Sequence, residues 1–355
     1  MDDHGRDDED GALSAQLDVH LDRQPVTGRL RTAHGADERF VGWLGFADAL
    51  RRAQEALTER PPTLRKGATM NDNTQDSKPI LVLGGTGKTG RRVVERLTAR
   101  GIPTRIGSRA ANSPFDWEDQ ATWAPALQGT RAAYVSYYPD IAVPGAPEAV
   151  RSFADLAVEQ GVRRLVLLSG RGEEAAQRAE RAVQDTGADV TIVRCAWFMQ
   201  NFSEDYLVDP VLGGEVVLPA TDQLEPFIDA DDIADVAVAA LTDDRHIGEV
   251  YELTSPRLMT FAEAVGEIAK ATGRDIRYVP VSVEEYAAAA GDYGVPPEFV
   301  GFLTYLFSEV LGREAYLTDG VQRALGREPR DFRDFARDTA ATGVWDVASP
   351  AEVAS

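Results

Sequence analysis

The sequence predicts an α/β fold centred on a doubly wound parallel sheet. A continuous apolar run at 80–83 is typical of a strand that is covered on both faces. Further apolar runs follow at 132–137, 165–168 and 190–193, and segments of helix length, such as 148–160, separate them. Strands that alternate with helices in this way form a parallel sheet with helices on both faces.

The composition limits the kinds of partner. Of 355 residues, 43% are apolar, which predicts a folded chain. The formal net charge of −21 argues against nucleic acid or an anionic membrane as the partner, because both would be repelled. Cys195 is the only cysteine, which indicates a reducing compartment. With no leader pattern and no apolar run of membrane-spanning length, we expect a cytoplasmic protein that acts on a small molecule.

The chain is predicted to contain one large domain and a short N-terminal extension. In the extension, two short strands within 15–32 and a helix from Phe40 to Leu57 would form a small ββα-like unit. The predicted segments are an acidic tail at 1–14, the extension at 15–60, a linker at 61–77, the main domain at 78–346 and a tail at 347–355. Within the main domain, 196–346 is expected to form a smaller C-terminal region on the substrate side.

A glycine-rich loop follows the first apolar run of the main domain. It reads Gly84-Gly85-Thr86-Gly87-Lys88-Thr89-Gly90 and leads into a helical pattern. Glycines here allow a tight turn and close approach of the backbone to a pyrophosphate, and the helix N-terminus offers free N–H groups. An ATPase loop would need glycine at position 82, which is Val82. The loop therefore predicts a Rossmann-type site for a dinucleotide.

The end of the second predicted strand indicates which dinucleotide binds. NAD sites usually place a carboxylate there for the ribose 2′-hydroxyl, whereas an arginine suits the 2′-phosphate of NADP. This chain has Ser108 and Arg109, and no acid before Asp116. The sequence therefore favours NADP(H) over NAD(H), although a solvated surface arginine is the alternative interpretation.

Several segments together resemble the NmrA-like branch of the atypical short-chain dehydrogenases, and within it the festuclavine-dehydrogenase-like group. The similarity spans about 79–346 and leaves 1–70 outside. It is carried by the glycine loop, by Phe115-Asp116-Trp117 (similar to the family's third-strand segment), by 163–169 (its fifth strand), by the Arg-Cys-Ala-Trp-Phe-Met-Gln-Asn-Phe run at 194–202, and by 229–234 and 325–330.

This resemblance implies the positions of the residues around a bound dinucleotide. Thr86, Lys88 and Thr89 would lie at the phosphates, and Ser108 and Arg109 at the 2′-phosphate. Asp116 and Trp117 would lie near the adenine. The side chains expected towards the nicotinamide and the substrate are Tyr137, Tyr138, Ser169, Trp197, Phe198 and Asn201, although the aromatic residues among them could equally belong to the core.

The usual acid–base pair of short-chain reductases is missing. That pair is Tyr-x-x-x-Lys, and none of the four lysines has a tyrosine four positions earlier. Of the four histidines only His246 lies in the main domain, so neither a metal site nor a His-centred triad is expected. Catalytic residues therefore cannot be named from the sequence.

Two functions fit this pattern. One is an NADP(H)-dependent oxidoreductase that transfers hydride to a small conjugated electrophile, such as an iminium ion or a quinone. The other is a protein that binds the cofactor without turnover, senses its redox state and regulates a protein partner. The missing acid–base pair is compatible with both, so the sequence leaves both open.

Overall fold

A three-stranded antiparallel sheet and a six-stranded parallel sheet contain most of the strands. The computed structural model describes residues 15–20, 27–32, 37–41, 78–109, 111, 114–292, 295 and 297–347. The strands are β1 (Ala15–His20), β2 (Thr27–Thr32), β3 (Asp37–Val41), β4 (Ile80–Leu83), β5 (Thr104–Gly107), β6 (Ala132–Val135), β7 (Arg164–Gly170), β8 (Asp189–Cys195), β9 (Glu215–Leu218), β10 (Val250–Leu253) and β11 (Arg277–Pro280).

Helices connect these strands along the main part of the chain. They are α1 (Lys88–Ala99), α2 (Trp123–Leu127), α3 (Ala146–Glu159), α4 (Glu174–Gln184), α5 (Asn201–Glu204), α6 (Val208–Gly213), α7 (Ala230–Thr242), α8 (Phe261–Thr272), α9 (Val283–Asp292), α10 (Pro297–Tyr305), α11 (Gly320–Leu325) and α12 (Phe332–Ala340). Short 3₁₀ turns occupy Gln120–Thr122 and Asp244–His246, and a π-helical turn occupies Leu306–Val310.

The large sheet has the order β5-β4-β6-β7-β8-β10, and every pairing in it is parallel. The chain therefore moves outward in one direction from β4 to β5 and in the other direction from β6 onward. In doubly wound sheets, ligands bind outside the carboxyl ends of the strands at such a reversal. This topology confirms the predicted Rossmann-type sheet and directs attention to the loops after β4 and β6.

The strands are buried because both faces of the sheet are covered. Ile80, Val82 and Tyr134 pack against α1 and α7 on one face, while Leu81 and Leu83 pack on the other, where α3 and α4 lie. All four side chains of β4 are fully buried. This explains why the run at 80–83 is apolar throughout instead of alternating.

A third apolar cluster forms the core of the C-terminal region. It is rich in aromatic side chains and includes Phe202, Phe227, Phe261, Phe332 and Trp345. The strands β9 and β11 pair in parallel beside this cluster and form a separate small sheet. A substrate-side region distinct from the large sheet was expected from the change of sequence pattern after Phe202.

The segment Phe115-Asp116-Trp117 resembles a third strand, but it does not join the sheet. The backbone forms only an isolated antiparallel bridge between Asp116 and Asp119. Phe115 instead packs against Trp123 and Phe153, with ring centroids 6.3 and 5.6 Å apart. Burial of these aromatic rings therefore holds the segment in place without strand pairing.

The chain forms two compact units, one made of 1–71 with 288–300 and the other of 72–287 with 301–355. In the first unit, β2 pairs antiparallel with both β1 and β3. The two strands predicted within 15–32 correspond to β1 and β2. Phe40 and Val41 lie in β3 rather than at the start of a helix, and 42–57, the rest of that predicted helix, lies outside the described residues.

Candidate functional site

The glycine loop is closed so tightly that side chains do not fit at two of its positions. Gly84 has a φ of +64°, and its N–H donates to the carbonyl of Gly107 at 3.0 Å. A Cβ atom at Gly90 would lie 2.1 Å from the carbonyl oxygen of Gly84, and one at Gly85 would lie 2.8 Å from Ile106 Cγ2. The loop and the first turn of α1 are thus in direct backbone contact.

The N-terminus of α1 offers hydrogen-bond donors to a ligand. Gly87 is the N-cap residue, and no side-chain hydrogen bond caps the helix. The first N–H groups of the helix and the positive end of its dipole therefore suit the phosphates of a dinucleotide. With the glycine cradle at Gly84 to Gly90, these features fit a nicotinamide dinucleotide.

The two polar side chains of the first turn have protein partners. The Tyr134 hydroxyl, buried in β6, donates to the Thr89 hydroxyl at 2.9 Å. Lys88 donates to the side-chain oxygen of Asn201 at 2.8 Å and forms an ion pair with Asp205. Its ammonium lies 5.9 Å from the centre of the Phe198 ring. The structure thus brings together Lys88, predicted at the phosphates, with Phe198 and Asn201, predicted on the substrate side.

Ion pairs tie the outer face of α1 to the elements beside it. Arg91 and Arg92 pair with Glu204 of α5, and Arg96 pairs with Asp231 and Asp235 of α7. Asp229, at the start of α7, caps that helix by accepting from the Asp231 N–H at 2.8 Å. These charges hold α1 in position and leave the glycine loop at its N-terminus open for a ligand.

Arg109 and Tyr138 approach each other at the loop ends after β5 and β6. The guanidinium of Arg109 lies 5.8 Å from the centre of the Tyr138 ring. The side chain of Tyr138 is 69% exposed, whereas Ser108 is half-buried, and its carbonyl accepts from the Phe115 N–H at 3.0 Å. Arg109 is therefore a solvent-facing cation beside the glycine loop, next to a residue that the resemblance places near the nicotinamide.

Trp117 packs against Tyr137, which lies in the loop that follows β6. The Trp117 Nε1–H donates to the carbonyl of Ser136 at 3.1 Å, and its ring lies 4.8 Å from that of Tyr137. Ser136 in turn borders the glycine loop, because a Cβ at Gly84 would lie 3.6 Å from its Cβ. Asp116 accepts from the Glu118 N–H through its carboxylate at 3.1 Å.

Ser169 belongs to a buried polar network at the end of β7. Its hydroxyl donates to Glu180 at 2.6 Å, and Glu180 forms an ion pair with Arg194 of β8, which also pairs with Glu252 of β10. The carboxylates of Glu180 and Glu252 hold the pKa of Arg194 above its usual range. Each buried charge in this network thus has a partner of opposite charge, as burial requires.

Trp197 follows β8, is half-buried and packs against two buried rings of the C-terminal core. The Trp197 ring lies 5.4 Å from that of Phe261 and 5.2 Å from that of Phe307. The carboxylate of Glu225 accepts from the Trp197 N–H at 3.3 Å. Burial raises the pKa of Glu225 to about 7, against the influence of that hydrogen bond.

Sequence analysis missed two carboxyl groups at the carboxyl edge of the sheet. Asp140 lies in the loop after β6 and Glu173 in the loop after β7, where Glu173 is 5% exposed. Burial raises the pKa of both groups, and the charge of Asp140 raises that of Glu173 further. The signal was present, since an acid in the Gly-Arg-Gly-Glu run directly follows a buried strand.

Cys195 is not part of this site. Its thiol is buried at the end of β8, and burial raises the pKa of the thiol well above its usual range. The thiolate, which is the nucleophilic form, is therefore strongly disfavoured. Within the described part of the chain, no helix is both long and apolar enough to cross a bilayer.

Comparisons with known proteins agree with this geometry. Residues 84–244 match a family described as NAD(P)H-binding. The chain is 32% identical to an agroclavine dehydrogenase of Claviceps fusiformis over an alignment 285 residues long, which covers 75% of this chain and 98% of that protein.

Solved structures share the fold at lower identity. An NADPH-dependent quinone oxidoreductase of Escherichia coli, in complex with NADPH, is 20% identical with a TM-score of 0.63, covering 73% of this chain and 99% of its own. The negative transcriptional regulator NmrA is 16% identical with a TM-score of 0.56, covering 76% of this chain and 100% of its own.

Proposed function

This chain belongs to the NmrA-like family of NAD(P)-binding oxidoreductases, and we propose that it uses NADP(H) to reduce a small conjugated electrophile, an iminium ion or a quinone. The observation that carries the proposal is the half-buried ring of Phe198, which follows β8 and lies 5.9 Å from the Lys88 ammonium at the start of α1. Flat conjugated rings stack favourably on such a surface. The quinone oxidoreductase among the structural neighbours acts on a substrate of this kind.

Bound NADPH would supply the hydride, and the protein would supply binding and orientation. The glycine loop and the N–H groups at the start of α1 would hold the pyrophosphate. The Phe198 ring would orient the electrophile and exclude water from its face. Since an iminium carbon is already electrophilic, its reduction needs no protein acid, which is compatible with the missing Tyr-x-x-x-Lys pair.

Arg109 and Ser108 would give the preference for NADP(H). The exposed guanidinium of Arg109 can form a forked, charge-assisted contact with a 2′-phosphate, and the Ser108 hydroxyl can add a donor. Between β5 and Asp116 the chain offers no carboxylate that would favour the ribose 2′-hydroxyl of NAD.

The test is NADPH oxidation by the purified protein against a panel of quinones and cyclic iminium ions, followed by the loss of NADPH absorbance. Titrations with NADPH and NADH are run alongside. We expect turnover of at least one class and tighter binding of NADPH. Tight NADPH binding without turnover of any panel member would contradict the reductase and favour the alternative, a cofactor-sensing protein with a regulatory partner.

A further inference from the structure

Two carboxyl groups lie in neighbouring loops at the carboxyl edge of the large sheet. The loops after the neighbouring strands β6 and β7 carry Asp140 and Glu173. Both loops leave the carboxyl edge of the sheet, next to the chain reversal at which ligands bind in this fold. The loop after β6 also borders the glycine loop through Ser136. Ser169, which the resemblance places towards the nicotinamide, lies near the end of β7, so Glu173 in the following loop would lie on that side of a bound cofactor.

Glu173 is held in place while one of its oxygens is left without a partner. Its Oε1 lies 2.2 Å from the position that a Cβ at Gly170 would take, so the carboxyl group folds back on the end of β7. Its Oε2 is buried, and no hydrogen-bond partner reaches it in the described part of the chain. A buried carboxyl oxygen without a partner is costly unless the group is neutral or binds a ligand.

The surroundings of Glu173 favour its neutral form. Asp140 faces it from the loop after β6, and Tyr305 faces both acids from the end of α10. On its own loop, Arg171 is turned away towards Glu252, Glu314 and the ring of Tyr316. The charge of Asp140 thus opposes a negative charge on Glu173, and Arg171 is engaged elsewhere.

We propose that Glu173 is the proton donor for reduction of a quinone, in place of the missing tyrosine. The proposal rests on the reductase function proposed above. Reduction of a quinone to a hydroquinone consumes one hydride, supplied by NADPH, and one proton. The O–H bond of Glu173 breaks, an O–H bond forms at the quinone-derived oxygen, and the resulting carboxylate regains a proton from water. Reduction of an iminium ion consumes only the hydride.

The Glu173→Gln variant tests this role because glutamine keeps the shape of the side chain but has no acidic proton to transfer. Glu174→Gln is the matched control, since Glu174 is the next residue, is solvent-exposed and pairs with Arg178 on the surface of α4. We expect quinone turnover to fall about 100-fold in Glu173→Gln. Iminium turnover and NADPH affinity should stay unchanged, the free energy of unfolding should not fall, and Glu174→Gln should match the wild type throughout.

The pH dependence of quinone turnover provides a second test. With the Glu173 pKa raised to about 8, wild-type quinone turnover should fall tenfold for each pH unit above that value, and iminium turnover should not. Asp140→Asn removes the neighbouring charge while keeping an oxygen for the Ala142 N–H, so it should move this fall to lower pH.

A third test, by infrared spectroscopy, does not depend on enzymatic activity. The infrared difference spectrum between wild type and Glu173→Gln should contain the carbonyl stretch of a protonated carboxylic acid at neutral pH, and this band should disappear as the pH rises past about 8. Absence of that band overturns the proposal. So does a Glu173→Gln variant that keeps its quinone turnover, or one that loses quinone and iminium turnover equally. A wild type that reduces neither class overturns the reductase itself, which is a distinct result.

Discussion

The Tyr134 hydroxyl donates to the Thr89 hydroxyl at 2.9 Å, and this bond joins the third parallel strand along the chain to the first turn of α1. Both residues are buried, and burial raises the pKa of Tyr134, so the phenol stays protonated and remains a donor. The helix that carries the predicted phosphate site is therefore fixed to the sheet by a side-chain bond as well as by apolar packing.

Tyr134→Phe should lower the free energy of unfolding by about 1–2 kcal/mol, because it removes one buried hydrogen bond and leaves the Thr89 hydroxyl without its donor. Urea unfolding measures the change. In a double-mutant cycle with Thr89→Val, the coupling should be about 1 kcal/mol. Additive effects of the two substitutions would contradict an energetic link between them.

Gly87→Val should abolish binding of both NADPH and NADH, because the new side chain fills the space where the pyrophosphate approaches the helix N-terminus. The fold should survive, since the backbone at Gly87 has a φ of −82° and a Cβ there would meet only the Gly84 oxygen at 3.3 Å. Binding is measured by fluorescence titration and folding by urea unfolding. Gly266→Ala, in α8 with no atom within 4 Å of its new Cβ, is the control. Unchanged cofactor binding by Gly87→Val would contradict the site.

Arg109→Ala should weaken NADPH binding about 10- to 100-fold and leave NADH binding nearly unchanged, because only NADPH carries the 2′-phosphate. Titration with each cofactor measures the two effects. Arg100→Ala, an exposed arginine at the other end of α1, removes the same charge away from the site. Equal losses of affinity for NADPH and NADH would show that Arg109 does not bind the 2′-phosphate.

Asp205→Asn should tighten NADPH binding about two- to fivefold. Lys88 is paired with Asp205, so the phosphates must compete with that carboxylate for the same ammonium. Glu215→Gln removes a carboxylate from the exposed pair with Arg277 and controls for the change in net charge. Weaker binding in Asp205→Asn would mean that Asp205 positions Lys88 for the cofactor instead of competing with it.

Glu225 should make the fold less stable as the pH rises. Its pKa is about 7 in the folded chain against an ordinary value of 4.5, so the folded state holds the proton more tightly. The stability from this group is therefore present below pH 4.5 and lost as the pH rises through 7. Urea unfolding across this range should show a smaller loss for Glu225→Gln than for the wild type. Parallel curves for the two proteins would contradict this role of Glu225. Glu95→Gln, at an exposed position on α1, is the control.

Local patterns allowed the cofactor loop to be predicted from the sequence. Strand, turn and helix follow one another within 80–99, and the glycine positions depend on contacts inside that segment. The parallel sheet was predictable for a similar reason, because buried strands give continuous apolar runs.

The partners of the side chains could not be predicted, because they come from distant parts of the chain. Thr89 meets Tyr134, and Lys88 meets Asn201 and Asp205, and no spacing in the sequence encodes these pairs. Phe115 to Trp117 shows the same limit, since packing among aromatic rings replaces strand pairing there. The surroundings of Glu173 have the same origin, because Asp140 and Tyr305 come from distant parts of the chain.

The closed glycine loop has a thermodynamic consequence for recognition. Its backbone is already fixed by the Gly84–Gly107 and Gly87–Gly84 hydrogen bonds and by the contact between Gly84 and Gly90. The conformational entropy of these residues is lost when the chain folds, not when a ligand arrives. A dinucleotide would therefore meet a preorganised surface, and more of the free energy of its phosphate contacts would remain as affinity.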